Sequence, residues 1–309
     1  RRRHQGRQRT LGKEEETLSF ACEADYVECS RIHRQYGTTY YFASRRLPAL
    51  TRRRVDGVYG FVRLPDEWVD NPGDLTTEQV RCLLSEYRQE MIAATYGVRP
   101  ERPVLRAFAD VMRETGMSPE EPIVFLDAME QDLTKTRYAT YDELRQYMRG
   151  SAMAVGLMLL HVLSGPQDET TRRQAMALGE AMQLTNFLRD VGEDLARDRI
   201  YLPQDELAQF GITEEDLREG RLTPEWSAFM NQQIARAKDL FREAEAGIKV
   251  LPAEMRFGVS LARELYAKIL DKIVQNGYDV FRHRASTSAQ EKMLTAWKLW
   301  SSIQLHETP

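Results

Sequence analysis

The chain has 309 residues, 43 of them Lys or Arg and 47 Asp or Glu, for a formal charge of 43 − 47 = −4. That length suffices for a large core or two small ones, and the near-balanced charge argues against a general attraction to nucleic acid. Three cysteines, Cys22, Cys29 and Cys82, form no CxxC pair and leave one odd, which argues against a disulfide framework and for a reducing, cytoplasmic setting.

Helical periodicity dominates the sequence in chain order, and no run of alternating strand residues stands out. Five arginines fall in the first nine residues without the apolar core of a secretory signal, so residues 1–11 read as a disordered basic tail and 12–309 as an all-helical domain. Leu18 to Arg34 is expected to form the first helix. The stretch from Tyr36 to Phe42 starts on Gly37 and is rich in hydroxyls; it reads as a break. Pro48 opens a helix through Val55, Val58, Tyr59 and Val62 that ends at Asn71-Pro72-Gly73-Asp74. Thr77 to Tyr96, Val104 to Glu114 and Pro119 to Lys135 come next as helices.

Asp142 to Leu163 is the most apolar helix. Its apolar run, Met153 to Leu163, is interrupted by Gly156 and His161 and is too short to span a membrane. Glu169 to Leu195 is expected as one helix. After Pro203 comes a polar connection with a short helix near Glu214, then helices over Pro224 to Val250, Pro252 to Asn276 and Ala289 to Ser302. No solenoid-length repeat and no Gly/Ser-rich linker divides the chain. A bundle of facing helices around a central apolar cavity is the expected architecture.

Chemistry concentrates at two places. On the expected Glu169–Leu195 helix, Gln183, Asn186, Asp190 and Asp194 recur three or four residues apart on one face, beside Leu184, Phe187, Leu188 and Arg189. An isolated acidic pair such as Glu86 and Glu90 carries little weight. Here a second copy exists: Arg63-Leu64-Pro65-Asp66-Glu67-Trp68-Val69-Asp70 again sets aspartates at i and i+4 with a basic residue upstream. Asp70 and Asp190 are 120 residues apart (190 − 70), so two separate helices can face each other.

Mg²⁺ prefers hard oxygen donors and is commonly held by one or two carboxylates together with substrate phosphate oxygens. Two facing aspartate pairs could therefore hold a diphosphate through bridging metals, with arginines adding charge-assisted contacts. Charge building on a leaving diphosphate would then be compensated in advance. No GxGxxG after a strand, GxxxxGK[ST] or GxSxG is present, so nicotinamide binding has no support.

The stretches Gly57 to Asp70 and Gln183 to Asp194, with Arg199-Ile200-Tyr201-Leu202-Pro203 just beyond, resemble the paired aspartate motifs of the squalene/phytoene synthase family, most of all its bacterial phytoene synthases. The likeness runs from about Tyr26 to Arg284. It implies the all-α isoprenoid synthase fold and head-to-head condensation of two geranylgeranyl diphosphates to phytoene through a cyclopropyl diphosphate. It implies Mg²⁺, or Mn²⁺ in its place, as cofactor and no nicotinamide.

Position by position, the resemblance makes Asp66 and Asp70 the first metal-binding pair and Asp190 and Asp194 the second. Arg63, Arg189 and Arg199 would contact diphosphate, and Thr38, Thr39 and Tyr40 occupy a segment where the family usually has serines and an aromatic. Tyr59 and Tyr147 would lie near the cation. Gln183, Asn186, Tyr201 and Tyr266 would line the site. Val155 could line the prenyl channel, although its helical spacing alone is that of ordinary core. Pro65 leaves the direction of Asp66 open: it either kinks the helix or marks its first turn.

The expected partners are prenyl diphosphates, with a transient contact to a membrane surface allowed and no nucleic acid. Three other readings stay open. The substrate could be farnesyl diphosphate, giving dehydrosqualene, squalene or presqualene diphosphate. The chain could be a non-catalytic assembly protein of the same fold. The arginine tail could bind nucleic acid.

Overall fold

The computed structural model describes residues 19–306. The expected basic tail, residues 1–11, lies outside the described residues, as does the expected helix start at Leu18. Within them the chain forms helices α1 (Glu23–Tyr36), α2 (Thr38–Ser44), α3 (Ala49–Asp70), α4 (Thr77–Thr95), α5 (Pro103–Thr115), α6 (Glu120–Gln131), α7 (Tyr141–Met148) and α8 (Ala154–Val162). Beyond these come α9 (Glu169–Arg189), α10 (Val191–Ala196), α11 (Gln204–Gln209), α12 (Glu214–Glu219), α13 (Pro224–Val250), α14 (Ala253–Gln275) and α15 (Ala289–His306). No strand occurs among the described residues; Arg137 and Ile200 form one isolated bridge.

Local chemistry explains most boundaries. Thr76 caps α4 in a reciprocal box with Gln79, and the Asp168 carboxylate accepts the Thr171 N–H at the start of α9. Pro103 and Pro224 occupy first helical positions, where a missing N–H costs nothing. Gly116 ends α5 in the left-handed conformation at φ 66°.

Four expectations are corrected. The stretch after Gly37 is helix α2 and no break, because Tyr41 N–H bonds back to the Gly37 carbonyl and Ala43 and Leu47 pack on Gly258 of α14. Tertiary packing overrides the weak helix preference of two threonines there. The helix from Pro119 ends at Gln131, short of Lys135. The expected Asp142–Leu163 helix contains a five-residue π-helical segment, Arg149–Met153, between α7 and α8. A Cβ at Gly150 would fall 2.6 Å from the Val124 carbonyl oxygen of α6, so this segment hugs a neighbouring backbone. The expected Glu169–Leu195 helix is two helices, broken at Asp190 (φ −103°, ψ 13°).

One apolar cluster joins α1 and α3 through α8, with Phe61 and Phe108 stacked at 3.8 Å. A second gathers Trp226, Phe229, Phe241, Ile269 and Leu270 around α9, α13 and α14. Between them α8 crosses α9 almost backbone to backbone. A Cβ at Gly156 would lie 2.5 Å from the Ala175 carbonyl oxygen, and one at Gly179 would lie 2.6 Å from that of Ala152. No helix among the described residues is long and apolar enough to cross a membrane.

Candidate active site

The first aspartate pair lies on the last turns of α3. Pro65 sits inside this helix and is buried, so its first-turn alternative is ruled out. Asp66 and Glu67 both accept from the Arg63 guanidinium, which lies 4.2 Å over the Tyr36 ring. Burial pushes Asp66 well above the ordinary carboxylate value, and the Asp70 charge adds to the push. The accessible part of Asp66 faces a cavity.

The second pair straddles the α9–α10 junction. Asp190 is therefore not on one continuous helical face with Gln183 and Asn186, as expected, yet all of them reach the same cavity. Arg189 Nε donates to Asp190 Oδ1 at 2.7 Å, and Arg284 Nε donates to the same oxygen at 2.8 Å. Arg284 also pairs with Glu193 at 3.0 Å. Burial alone would raise the Asp190 pKa, but these two guanidiniums outweigh it and hold the carboxyl below its usual range. Among the described residues Asp194 accepts no guanidinium hydrogen bond, and Arg197 and Arg199 pull on it only weakly through their charge. Burial, then the charges of Asp190 and Asp70, push it up to about 8.

The influence of Asp70 on Asp194 means that the two pairs converge. Arg199 fastens them together: it is 9 % exposed and donates to Asp70 and to the Val69 carbonyl. Asn186 donates to Gln183 at 3.3 Å, and its buried Oδ1 has no partner among the described residues.

An aromatic wall adjoins the acids. Tyr201 Oη donates to Asp132 at 3.0 Å and Tyr147 Oη donates to the other oxygen of that carboxylate. Phe187 and Tyr201 stack at 4.3 Å. Burial pushes Asp132 up to about 6, although the two tyrosine hydroxyls and Arg199 pull the other way. On the opposite side Tyr59 stacks at 4.1 Å on the buried His33, whose Nδ1 is 2.7 Å from Asp56. Burial raises the Tyr40, Tyr59 and Tyr266 phenols, so they stay neutral.

All seventeen residues singled out from the sequence line this one cavity of about 640 Å³: Thr38, Thr39, Tyr40, Tyr59, Arg63, Asp66, Asp70, Tyr147, Val155, Gln183, Asn186, Arg189, Asp190, Asp194, Arg199, Tyr201 and Tyr266. The α9 face from Thr171 through Gln174, Leu178, Met182 and Asn186 to Arg189 runs its length. Those ends are 18 residues apart (189 − 171), about 27 Å at 1.5 Å per residue. Away from the acids the lining turns apolar, with Leu160, Leu163, Ile248 and Leu251.

Sequence reasoning missed Asp132, Arg284 and Lys292, which also line the cavity. None belongs to a spaced motif; only tertiary structure brings them in. With them the lining holds six carboxylates (Asp66, Asp70, Asp132, Asp190, Glu193, Asp194) and six cations (Arg63, Arg189, Arg197, Arg199, Arg284, Lys292), so its formal charges cancel. Among the described residues no three His, Cys, Asp or Glu side chains come close enough to hold a metal by themselves. The donor set suits a hard dication that completes its shell with substrate oxygens. Asp66 and Asp194, whose ionised forms are disfavoured by burial and by nearby carboxylates, Asp70 in both cases, are the carboxyls a dication would relieve.

A family model described as squalene/phytoene synthase matches residues 33–291. The chain is 38 % identical to the 15-cis-phytoene synthase of Synechococcus elongatus, over 87 % of this chain and 90 % of that protein. It is 37 % identical to phytoene synthase 2 of Solanum lycopersicum, over 90 % of each. A crystal structure of a dehydrosqualene synthase in complex with ligand superposes with a TM-score of 0.84 at 26 % identity, covering 91 % of this chain and 97 % of that one. A squalene synthase from Alicyclobacillus acidocaldarius superposes with a TM-score of 0.75 at 28 % identity, covering 83 % of this chain and 95 % of that one.

Proposed function

This chain belongs to the squalene/phytoene synthase family, and from that premise we propose that it joins two geranylgeranyl diphosphates head to head to make phytoene. It is a prenyltransferase with the all-α isoprenoid synthase fold. The observation that carries the reading is the convergence of both aspartate pairs and their arginines in one cavity whose lining elsewhere is largely aliphatic and aromatic. Such a cavity suits a ligand with a polyanionic head and a hydrocarbon tail.

The cavity is long enough for the longer of the two candidate substrates. An extended geranylgeranyl chain is roughly 20 Å long, from carbon–carbon bonds of about 1.5 Å. The lined face of α9, about 27 Å by helical rise, accommodates it with room for the head.

Asp66, Asp70, Asp190 and Asp194 would hold Mg²⁺, which when bound supplies positive charge to the diphosphate oxygens as the carbon–oxygen bond breaks. Arg63, Arg189, Arg199 and Arg284 would exchange their present carboxylate partners for the same oxygens, as charge-assisted, partly bidentate donors. Tyr59, Tyr147 and Tyr201 would present ring faces to the allylic cation. The apolar lining keeps water from quenching it. The double bond of the second chain would attack, loss of a proton would close the ring of a cyclopropyl diphosphate, and ionisation and rearrangement of that intermediate would end in loss of a second proton, the released diphosphates being the proton acceptors. No nicotinamide takes part in this sequence.

The test is to incubate the protein with geranylgeranyl diphosphate and with farnesyl diphosphate, each with Mg²⁺ and with or without NADPH, and to identify the hydrocarbons extracted. Phytoene from the longer substrate, independent of NADPH and lost in Asp190→Ala, is the expected result. A farnesyl-derived product alone, or undiminished turnover in Asp190→Ala, would overturn the reading.

A further inference from the structure

Pro65 lies in α3 five residues before the helix ends at Asp70 (70 − 65). Proline has no N–H to offer the carbonyl four residues back, and its ring pushes that carbonyl away. The carbonyl left over belongs to Phe61, which is fully buried. A buried carbonyl without a donor is costly and is normally paired. Tyr87, fully buried on α4, supplies the missing donor: its hydroxyl reaches the Phe61 carbonyl oxygen at 3.1 Å.

The Tyr87 ring does more than deliver that hydroxyl. It stacks on Phe61 at 5.6 Å and meets Trp68 edge-on at 5.4 Å. One side chain therefore touches α3 on both sides of Pro65. The angle across the proline decides where the next turn points, and that turn carries Asp66 and Asp70.

We propose that Tyr87 is a positioning residue for the first aspartate pair, a splint across Pro65 that keeps Asp66 and Asp70 directed at the cavity. Tyr87 is not part of the cavity lining, so its action passes entirely through α3. The inference rests on the diphosphate-binding reading of those aspartates.

A double-mutant cycle tests it with Tyr87→Phe, Pro65→Ala and the double variant. The readouts are calorimetric binding of inorganic diphosphate with Mg²⁺, thermal melting, and kcat against the Mg²⁺ concentration needed for half-maximal turnover. Tyr87→Phe removes the donor and is expected to weaken diphosphate–Mg²⁺ binding roughly tenfold. It should also raise the Mg²⁺ requirement, so that excess Mg²⁺ recovers part of kcat. Pro65→Ala returns an N–H to position 65 that can serve the Phe61 carbonyl, and in that background Tyr87→Phe should cost no more than about twofold.

Equal losses in both backgrounds, or unchanged binding in Tyr87→Phe, would overturn the splint. If Tyr87→Phe melts too low to assay, recovery of its melting temperature by adding Pro65→Ala supports the proposal, and no recovery refutes it. Wild-type protein that binds no diphosphate with Mg²⁺ would sink the functional reading itself, and the splint with it.

Discussion

Arg199 reaches from the segment after α10 to the carboxylate of Asp70 at the end of α3, joining the two acidic motifs through a single side chain. Its other Nη donates to the Val69 carbonyl at 3.3 Å, so the last turn of α3 is held at two points. The two motifs therefore stand in a fixed relation before any ligand arrives.

Arg199→Lys keeps the charge but loses the fork, because an ammonium cannot serve carboxylate and carbonyl in the same geometry. A fall of at least about tenfold in kcat/KM with geranylgeranyl diphosphate is expected. Steady-state kinetics beside a thermal melt will separate this from unfolding.

The cancelling charges of the mouth make a prediction about metal. Diphosphate alone would bring excess negative charge, and Mg²⁺ alone would meet three carboxylates, Asp66, Asp70 and Asp190, already engaged by arginines. Mg²⁺ and inorganic diphosphate together should raise the melting temperature, while either alone should do so far less. Chelation should abolish turnover, and Mg²⁺ or Mn²⁺ should restore it. Differential scanning fluorimetry and product extraction read both outcomes.

His33 gives a pH dependence to stability. Burial disfavours its imidazolium, against the opposing pull of Asp56, so its folded pKa lies below the ordinary 6.5. Above 6.5 folded and unfolded chains both keep it neutral. As pH falls through 6.5 the unfolded chain takes up a proton that the folded chain does not, and stability is lost. The slope is at most about 1.4 kcal/mol per pH unit. In His33→Gln the stability gap to wild type should therefore narrow between pH 7.5 and 5.5, as tracked by urea unfolding.

The crossing of α8 and α9 admits no added carbon. At Gly179 a Cβ would meet backbone, which cannot swing aside as a side chain would. Gly179→Ala should cost about 1–3 kcal/mol. A melting temperature within a degree of wild type would show that the helices slide apart freely.

Much of the site was legible because its chemistry repeats. Asp66/Asp70 and Asp190/Asp194 announce themselves by spacing, and the residues implied by family resemblance around them all reach the cavity. Asp132 was not legible, since what defines it is the pair of tyrosine hydroxyls that close on it from distant parts of the chain. Arg284 was missed for the same reason: it meets Asp190 across 94 residues. Helix types were easier to read than interruptions. At the break Asp190 is held by Arg189 and Arg284, and the π-helical segment lies against α6 at Gly150; neither feature leaves a periodic trace in the sequence. Helix α2 hid for the opposite reason, because packing against α14 imposed order on a hydroxyl-rich stretch with little preference of its own.

The equal numbers of acidic and basic groups around the opening also bear on how the product leaves. A strongly cationic rim would cling to spent diphosphate and slow each new round. Here guanidiniums that released a diphosphate would find their carboxylate partners beside them, so the pairs seen now would re-form as the anion left.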